Sequence, residues 1–284
     1  MLSARPLDYD ALERDVAHWA QAQPDIRAAV VVGSRARIDP PPDEWSDLDL
    51  IVFTSDMQTY AADNRWLASF GVIEIATLNY SRRGDAEWIV VFENGVKLDV
   101  LFAPIDPLGP IDTVAYDSVL QYGARVLFDK SAPELKRRFE RDPLPAALPA
   151  ADEFAQAVQQ FGLDALRAAK FIRRGDLWRA HATLDCQLKS YLLKLLEWHA
   201  LSVEPARRVW HDGRFIEQWA DRRAAAALPQ LSALHDAVDL RRALFAAIHL
   251  HRRLADEVAQ RLGFDEAIAR LPRLTGWIDA ILAR

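Results

Sequence analysis

Gly33-Ser34-Arg35 and, past a polar loop, Asp47-Leu48-Asp49-Leu50-Ile51-Val52-Phe53 form the stretch that decides how this chain is read. The apolar run Val30-Val31-Val32 ahead of the glycine predicts a short buried strand over residues 27–32, and residues 47–53 predict a second. Side chains alternate along a strand, so Asp47 and Asp49 point the same way about 7 Å apart along the backbone. Leu48, Leu50 and Val52 take the opposite face. Two carboxylates that reach one point suit a hard cation such as Mg2+, which keeps several waters and binds through one or two carboxylates plus phosphate oxygens. The Gly-Ser pair leaves the first strand at an expected helix start, where free backbone N–H groups suit an anion. Alone, a Gly-Ser turn is an ordinary connection, and only the carboxylate strand behind it gives it weight.

Upstream, residues 8–21 have helical spacing (Leu12, Val16, Trp19) with Asp8 as N-cap, which predicts a packing helix. Downstream, Pro40, Pro41 and Pro42 make residues 38–46 irregular. Ser55 or Asp56 is expected to cap a helix running through Phe70, and residues 72–78 alternate as a further strand. Glu93-Asn94-Gly95 between the apolar runs 87–92 and 96–103 is a strong hairpin signal. Its second arm puts Val96, Leu98, Val100 and Phe102 on one face and Lys97, Asp99 and Leu101 on the other. An unpaired Asp99 carboxylate there would be costly to bury, so it requires a cation, a donor or water. A metal site meets that need, and so does a salt bridge to Lys97 or to an arginine such as Arg82. Together, Asp47, Asp49 and Asp99 supply what two-metal phosphoryl transfer requires: carboxylates that hold ions roughly 3.5–4 Å apart.

The order Gly-Ser, Asp-x-Asp on a strand, then a third Asp on a later strand resembles the polymerase-beta-like nucleotidyltransferase superfamily. Within it, Gly33-Ser34-Arg35, Asp43-Glu44-Trp45-Ser46-Asp47-Leu48-Asp49 and Glu93-Asn94-Gly95-Val96-Lys97-Leu98-Asp99-Val100 are similar to the motifs of bacterial aminoglycoside 6-adenylyltransferases, the streptomycin-modifying branch. The family's Asp-Tyr-Asp stands here as Asp47-Leu48-Asp49, and its usual Arg before the third aspartate as Lys97. The resemblance implies an α+β fold, with a mixed sheet and flanking helices in a nucleotidyltransferase domain (residues 1–142), then a helical substrate-binding domain (residues 143–284). It further implies ATP as co-substrate, Mg2+ held by Asp47, Asp49 and Asp99, and transfer of AMP to a hydroxyl of a streptomycin-type aminoglycoside. A lincosamide, a protein or an RNA end are alternative acceptors, and a catalytically dead binding fold is a further alternative that the three intact aspartates disfavour.

Composition agrees with that class. The chain has 284 residues, 51% of them hydrophobic, enough for two cores. Residues 1–150 carry 15 Lys and Arg against 24 Asp and Glu, net −9, whereas residues 151–284 carry 20 against 17, net +3. An acidic first half disfavours nucleic acid, whose binding rests on neutralised phosphates, and favours a cationic small molecule. No apolar run reaches membrane-spanning length, and residues 1–14 lack the layout of a signal peptide, so no membrane partner and a cytoplasmic location are expected, as monomer or homodimer. Cys186 is the single cysteine, which excludes an internal disulfide and a cysteine-based zinc site.

The second half reads as helices over 152–173, 176–201, 214–226, 230–262 and 265–282. Arg173-Arg174-Gly175-Asp176 is a helix stop and restart. Trp178 and Asp185, seven apart, are expected on one helix face and able to bind the acceptor, against the plainer reading of Trp178 in the core and Asp185 paired with Lys189. Lys170 is expected either to touch the triphosphate as a point charge or to be a solvated surface lysine. Trp19, Trp66, Trp198 and Trp219 sit at apolar helical positions and read as core.

Overall fold

Asp8 starts the first helix as the sequence predicts, its carboxylate accepting from the Ala11 N–H at 2.8 Å at the head of α1 (Tyr9–Ala22). The structure, a computed structural model, describes residues 8–38, 40–106, 111, 116–120, 123–130, 135, 147–269 and 271–283. The expected boundary at 142/143 lies outside the described residues. By its internal packing the chain divides into two compact units, Met1–Leu144 and Pro145–Arg284.

The first unit is built on a six-stranded mixed sheet. Its strands are β1 (Ile26–Val32), β2 (Leu48–Thr54), β3 (Ile73–Tyr80), β4 (Ala86–Phe92), β5 (Lys97–Pro104) and β6 (Ala124–Asp129), in the spatial order β3-β4-β5-β2-β1-β6. Only β2 and β5 run parallel; every other neighbour is antiparallel. Alternation decides the two faces. Leu48, Leu50 and Val52 with Leu98, Val100 and Phe102 pack beneath α1, through its Leu12, Val16 and Ala20. On the other face, Ile51, Phe53 and Ala103 pack with Tyr116, Leu120 and Leu135. Asp49 and Asp99, in step with Ile51 and Leu101, share that second face. Gly95, at φ +81°, turns the β4–β5 hairpin as Asn-Gly predicts.

Two local expectations are corrected. The helix expected to run through Phe70 stops early: α2 (Met57–Ala62), capped by Asp56, gives way to a 3-10 turn over Arg65–Ser69. Asp63 causes the break, its carboxylate accepting from the Arg65 backbone at 2.8 Å and offering the chain an alternative to the helical ladder. The helix expected after Gly33 is a single 3-10 turn, Gly33–Ala36, because Arg37 is already extended and three prolines follow. A short helix, α3 (Asp117–Leu120), and strand β6 carried no sequence expectation.

The second unit is helical: α4 (Ala151–Arg173), α5 (Leu177–Ala182), α6 (Lys189–Val203), α7 (Ile216–Trp219), α8 (Arg222–Ala227), α9 (Ala237–Leu262), α10 (Asp265–Ile268) and α11 (Leu271–Ala283). Gly175 ends α4 with the predicted reversal: at φ +75°, its N–H bonds Ile172 and that of Asp176 bonds Phe171. The helix expected from residue 230 begins only at Asp236, whose carboxylate caps Val238 and Asp239, since Pro229 leads a 3-10 turn instead. No described helix is long and apolar enough to cross a membrane.

Candidate active site

Parallel pairing of β2 with β5 sets Asp49 directly beside Asp99. The same face thus receives carboxylates from two strands, and Asp47, one residue before β2, joins them at its entrance. Adjacent strands lie about 4.8 Å apart, so side chains at paired positions share one patch of surface. In the β1–β2 ladder Val32 pairs with Asp49, which brings Gly33 against the Asp49 side chain. There the glycine is obligatory, because its φ is +67° and a Cβ would collide with Asp49 Oδ2. The Gly-Ser signal therefore reflects close approach of backbone to carboxylate. Ser34 is buried beside it.

Charge at this patch is unbalanced. Lys97 donates to Asp47 Oδ2 at 3.1 Å and to Asp99 Oδ2 at 2.9 Å, the salt bridge that the sequence left open as an alternative for Asp99. Asp99 Oδ1 is buried with no hydrogen-bond partner, an expensive state for a carboxylate oxygen. Burial, then the charge of Asp99, push the Asp49 carboxyl up to about 6, with Lys97 offsetting only part of this. Burial opposes the Lys97 charge, but its bonds to Asp99 and Asp47 prevail and hold its pKa above the ordinary lysine value.

Three further groups reach the patch that sequence reasoning did not assign to it. Tyr9, at the start of α1, donates its hydroxyl to Asp47 Oδ1 at 3.2 Å and accepts from the Lys97 backbone N–H at 3.2 Å. Asp10 binds Arg35, which lies over the Tyr9 ring at 5.0 Å from its centre. Glu87, on β4, has its pKa raised by burial and then by the charge of Asp99. The signal for Glu87 lay in the hairpin, where it is an odd position on the face of Asp99; nothing in the sequence pointed Tyr9 here.

As a donor set the carboxylates fit a hard divalent cation: oxygen ligands only, one of them buried without a partner, and negative charge exceeding the single ammonium that answers it. Among the described residues, no three His, Cys, Asp or Glu side chains stand arranged as a ready cage, and Lys97 bridges Asp47 and Asp99.

The remaining expected residues lie in the helical unit. Lys170 is exposed on α4. Trp178 is 77% exposed on α5, outside the core. Asp185 falls in a π-helical turn, Thr183–Leu188, that joins α5 to α6 and shifts the phase between it and Trp178. Its carboxylate accepts from Lys189 at 2.6 Å and meets His181 Nδ1 at 2.7 Å.

Carboxylates gathered from two parallel strands against a close-packed glycine turn are what the resemblance to nucleotidyltransferases led one to expect, and comparison with known proteins shows that class. A family described as streptomycin adenylyltransferase matches residues 9–278, and the chain belongs to that family. It is 23% identical over 269 residues to the aminoglycoside 6-adenylyltransferase of Bacillus subtilis (strain 168), covering 86% of this chain and 89% of that one. Over 199 residues it is 23% identical to the aminoglycoside 6-adenylyltransferase of Campylobacter jejuni, 64% of each chain. The crystal structure of an aminoglycoside 6-adenyltransferase from Bacillus subtilis aligns over 99% of both chains at 18% identity, with a TM-score of 0.43.

Proposed function

We propose that the protein transfers AMP from ATP to a hydroxyl of a streptomycin-type aminoglycoside in a magnesium-dependent reaction. The observation that carries this reading is the convergence of Asp47, Asp49 and Asp99, with Asp99 Oδ1 left buried and unpartnered. These three carboxylates would hold magnesium, which when bound supplies countercharge and Lewis acidity toward the triphosphate. Gly33 and Ser34 take the phosphates through the backbone N–H groups and hydroxyl of their turn, and Arg35 offsets phosphate charge. Asp99 accepts the proton of the acceptor hydroxyl. The oxygen bonds to the α-phosphorus as the bond from that phosphorus to the bridging oxygen breaks, and pyrophosphate leaves. Positioning and charge neutralisation do most of the work.

The acidic first half, net −9 over residues 1–150, favours a polycationic acceptor. Trp178 offers an open indole face, and a cation over it gains about 0.5–2 kcal/mol. Asp185 supplies a carboxylate in the same helical run. The test is mass spectrometry of aminoglycosides and lincosamides incubated with enzyme, ATP and magnesium. Streptomycin carrying one added AMP, lost on chelation, is the expected result; modification of lincosamides alone would reject the acceptor class, and product in the presence of chelator would reject the metal.

A further inference from the structure

Lys97 already draws on two of the carboxylate oxygens that a metal would share. Its Nζ donates to Asp47 Oδ2 and Asp99 Oδ2 at 3.1 and 2.9 Å, while Asp99 Oδ1 has no partner at all. A magnesium ion binds carboxylate oxygen at about 2.0–2.1 Å, so an ion drawing on the same oxygens would stand close to the ammonium and share its counter-charge. Held together on those oxygens, the ammonium and the ion would repel each other. One ammonium also answers too little charge, since Asp47, Asp49, Asp99 and nearby Glu87 surround it. Lysine is suited to leaving: its charge rides on a flexible four-carbon stem with three rotatable donors, and its side chain here is one-third exposed.

We propose that Lys97 is a tethered counter-ion of the metal-free site, holding Asp47 and Asp99 in place until a divalent cation displaces it. Cation uptake is then an exchange of ammonium for metal, and Lys97 sets the affinity below what the carboxylates alone would give. This rests on the reading of Asp47, Asp49 and Asp99 as metal ligands. The competing role, a fixed strut, has the opposite sign. Without a strut the like charges would splay and metal would bind more weakly; without a competitor it binds more tightly.

The experiment is titration of Mn2+ into metal-free protein, followed by the electron paramagnetic resonance signal of free ion, for wild type, Lys97→Met, Lys97→Arg and Asp49→Asn. Unfolding temperature is recorded with and without Mn2+. Two partly exposed ion pairs set the scale, so Lys97→Met should bind roughly tenfold tighter. Metal-free it should melt lower than wild type and gain more from Mn2+, and Lys97→Arg, which keeps the competing charge, should return the affinity to wild type or below. Should Lys97→Met not fold without metal, Lys97→Gln carries the same prediction. Equal or weaker Mn2+ binding by a folded Lys97→Met or Lys97→Gln, with wild type binding normally, overturns the exchange and spares the metal reading. Wild type indistinguishable from Asp49→Asn, neither retaining Mn2+ at millimolar concentration, overturns both.

Discussion

Two carboxylate clusters, one in each unit, are answered in opposite ways. In the helical unit, Glu257 meets His199 at 2.7 Å, Arg253 at 3.3 Å and Arg261 at 3.4 Å, and Arg253 also reaches Asp221, the N-cap of α8, at 3.1 Å. Burial would raise Glu257, yet His199 and the two arginines hold it below the ordinary glutamate value. Asp221 is likewise held low, Arg253 and the cap N–H groups outweighing burial. This network ties α6, α8 and α9 together and leaves only Arg253 Nη2 without a partner. In the sheet unit the sign reverses: Asp49 and Glu87 are raised, and an Asp99 oxygen has no donor. Carboxylates that meet cationic side chains build a scaffold, whereas a cluster left short of positive charge keeps its carboxyls raised.

Removing a carboxylate from the sheet cluster gives the largest expected effect. Asp49→Asn should lower AMP transfer by about 10³-fold or more, of the order seen when one charge-stabilising group is deleted, with circular dichroism unchanged. Stability should move the other way. The folded pKa of Asp49, about 6, lies above the ordinary aspartate value, so its contribution is fully present below about pH 4 and lost as pH rises through 6. Metal-free Asp49→Asn should therefore unfold at a higher temperature than wild type at pH 7.5 and show no such gain at pH 4. Wild-type rates from the folded variant would erase the contrast between the units.

Glu197 is the exception on the helical side and offers a sharper comparison. Burial, offset by Lys194 and reinforced by Asp212, pushes its carboxyl up to about 7. Its favourable contribution is complete below about pH 4.5 and disappears as pH passes 7. Glu197→Gln should then add about 1–2 kcal/mol at pH 8, after allowance for solvent screening, and nothing at pH 4.5. Denaturant midpoints at the two pH values measure it. Transfer rates should stay within about twofold, since the charges that act on Glu197 are those of Lys194 and Asp212.

The smallest effect is expected at Asp185, already engaged by Lys189 and His181. Asp185→Asn should raise the acceptor KM about three- to tenfold with kcat nearly constant, and the defect should shrink in high salt, as for lost uniform binding. An unchanged KM would assign Asp185 to helix packing alone and move the acceptor elsewhere.

Period and punctuation made much of this legible. The pattern from Leu48 to Phe53 and from Val96 to Phe102 reports which residues share a strand face, and alternation puts Asp49 and Asp99 opposite Leu48, Leu50, Leu98 and Val100 whatever the neighbouring strands are. Asn94-Gly95, Asp8 and Gly175 announce a turn, a cap and a stop because their conformations are local. The early end of α2 was missed because Asp63 competes with the helix through its own side chain, which periodicity does not register. β6 was missed because its membership of the sheet is a pairing with β1, a partner nearly a hundred residues away.

The sequence by itself determined that two aspartates share a strand face, that a third shares the face of Lys97, and that a glycine precedes them. Only the tertiary structure decided that β2 and β5 lie parallel and adjacent, which makes three carboxylates one cluster, and that Gly33 is required by the Asp49 side chain. It also decided that Tyr9 and Glu87 close the patch and that one ammonium stands between Asp47 and Asp99. Alternation is a property of each strand alone, fixed by backbone geometry over a few residues. Which strands become neighbours, and how far burial and unpaired charge shift a carboxyl, depend on distances between segments remote in sequence, and those exist only once the sheet has formed.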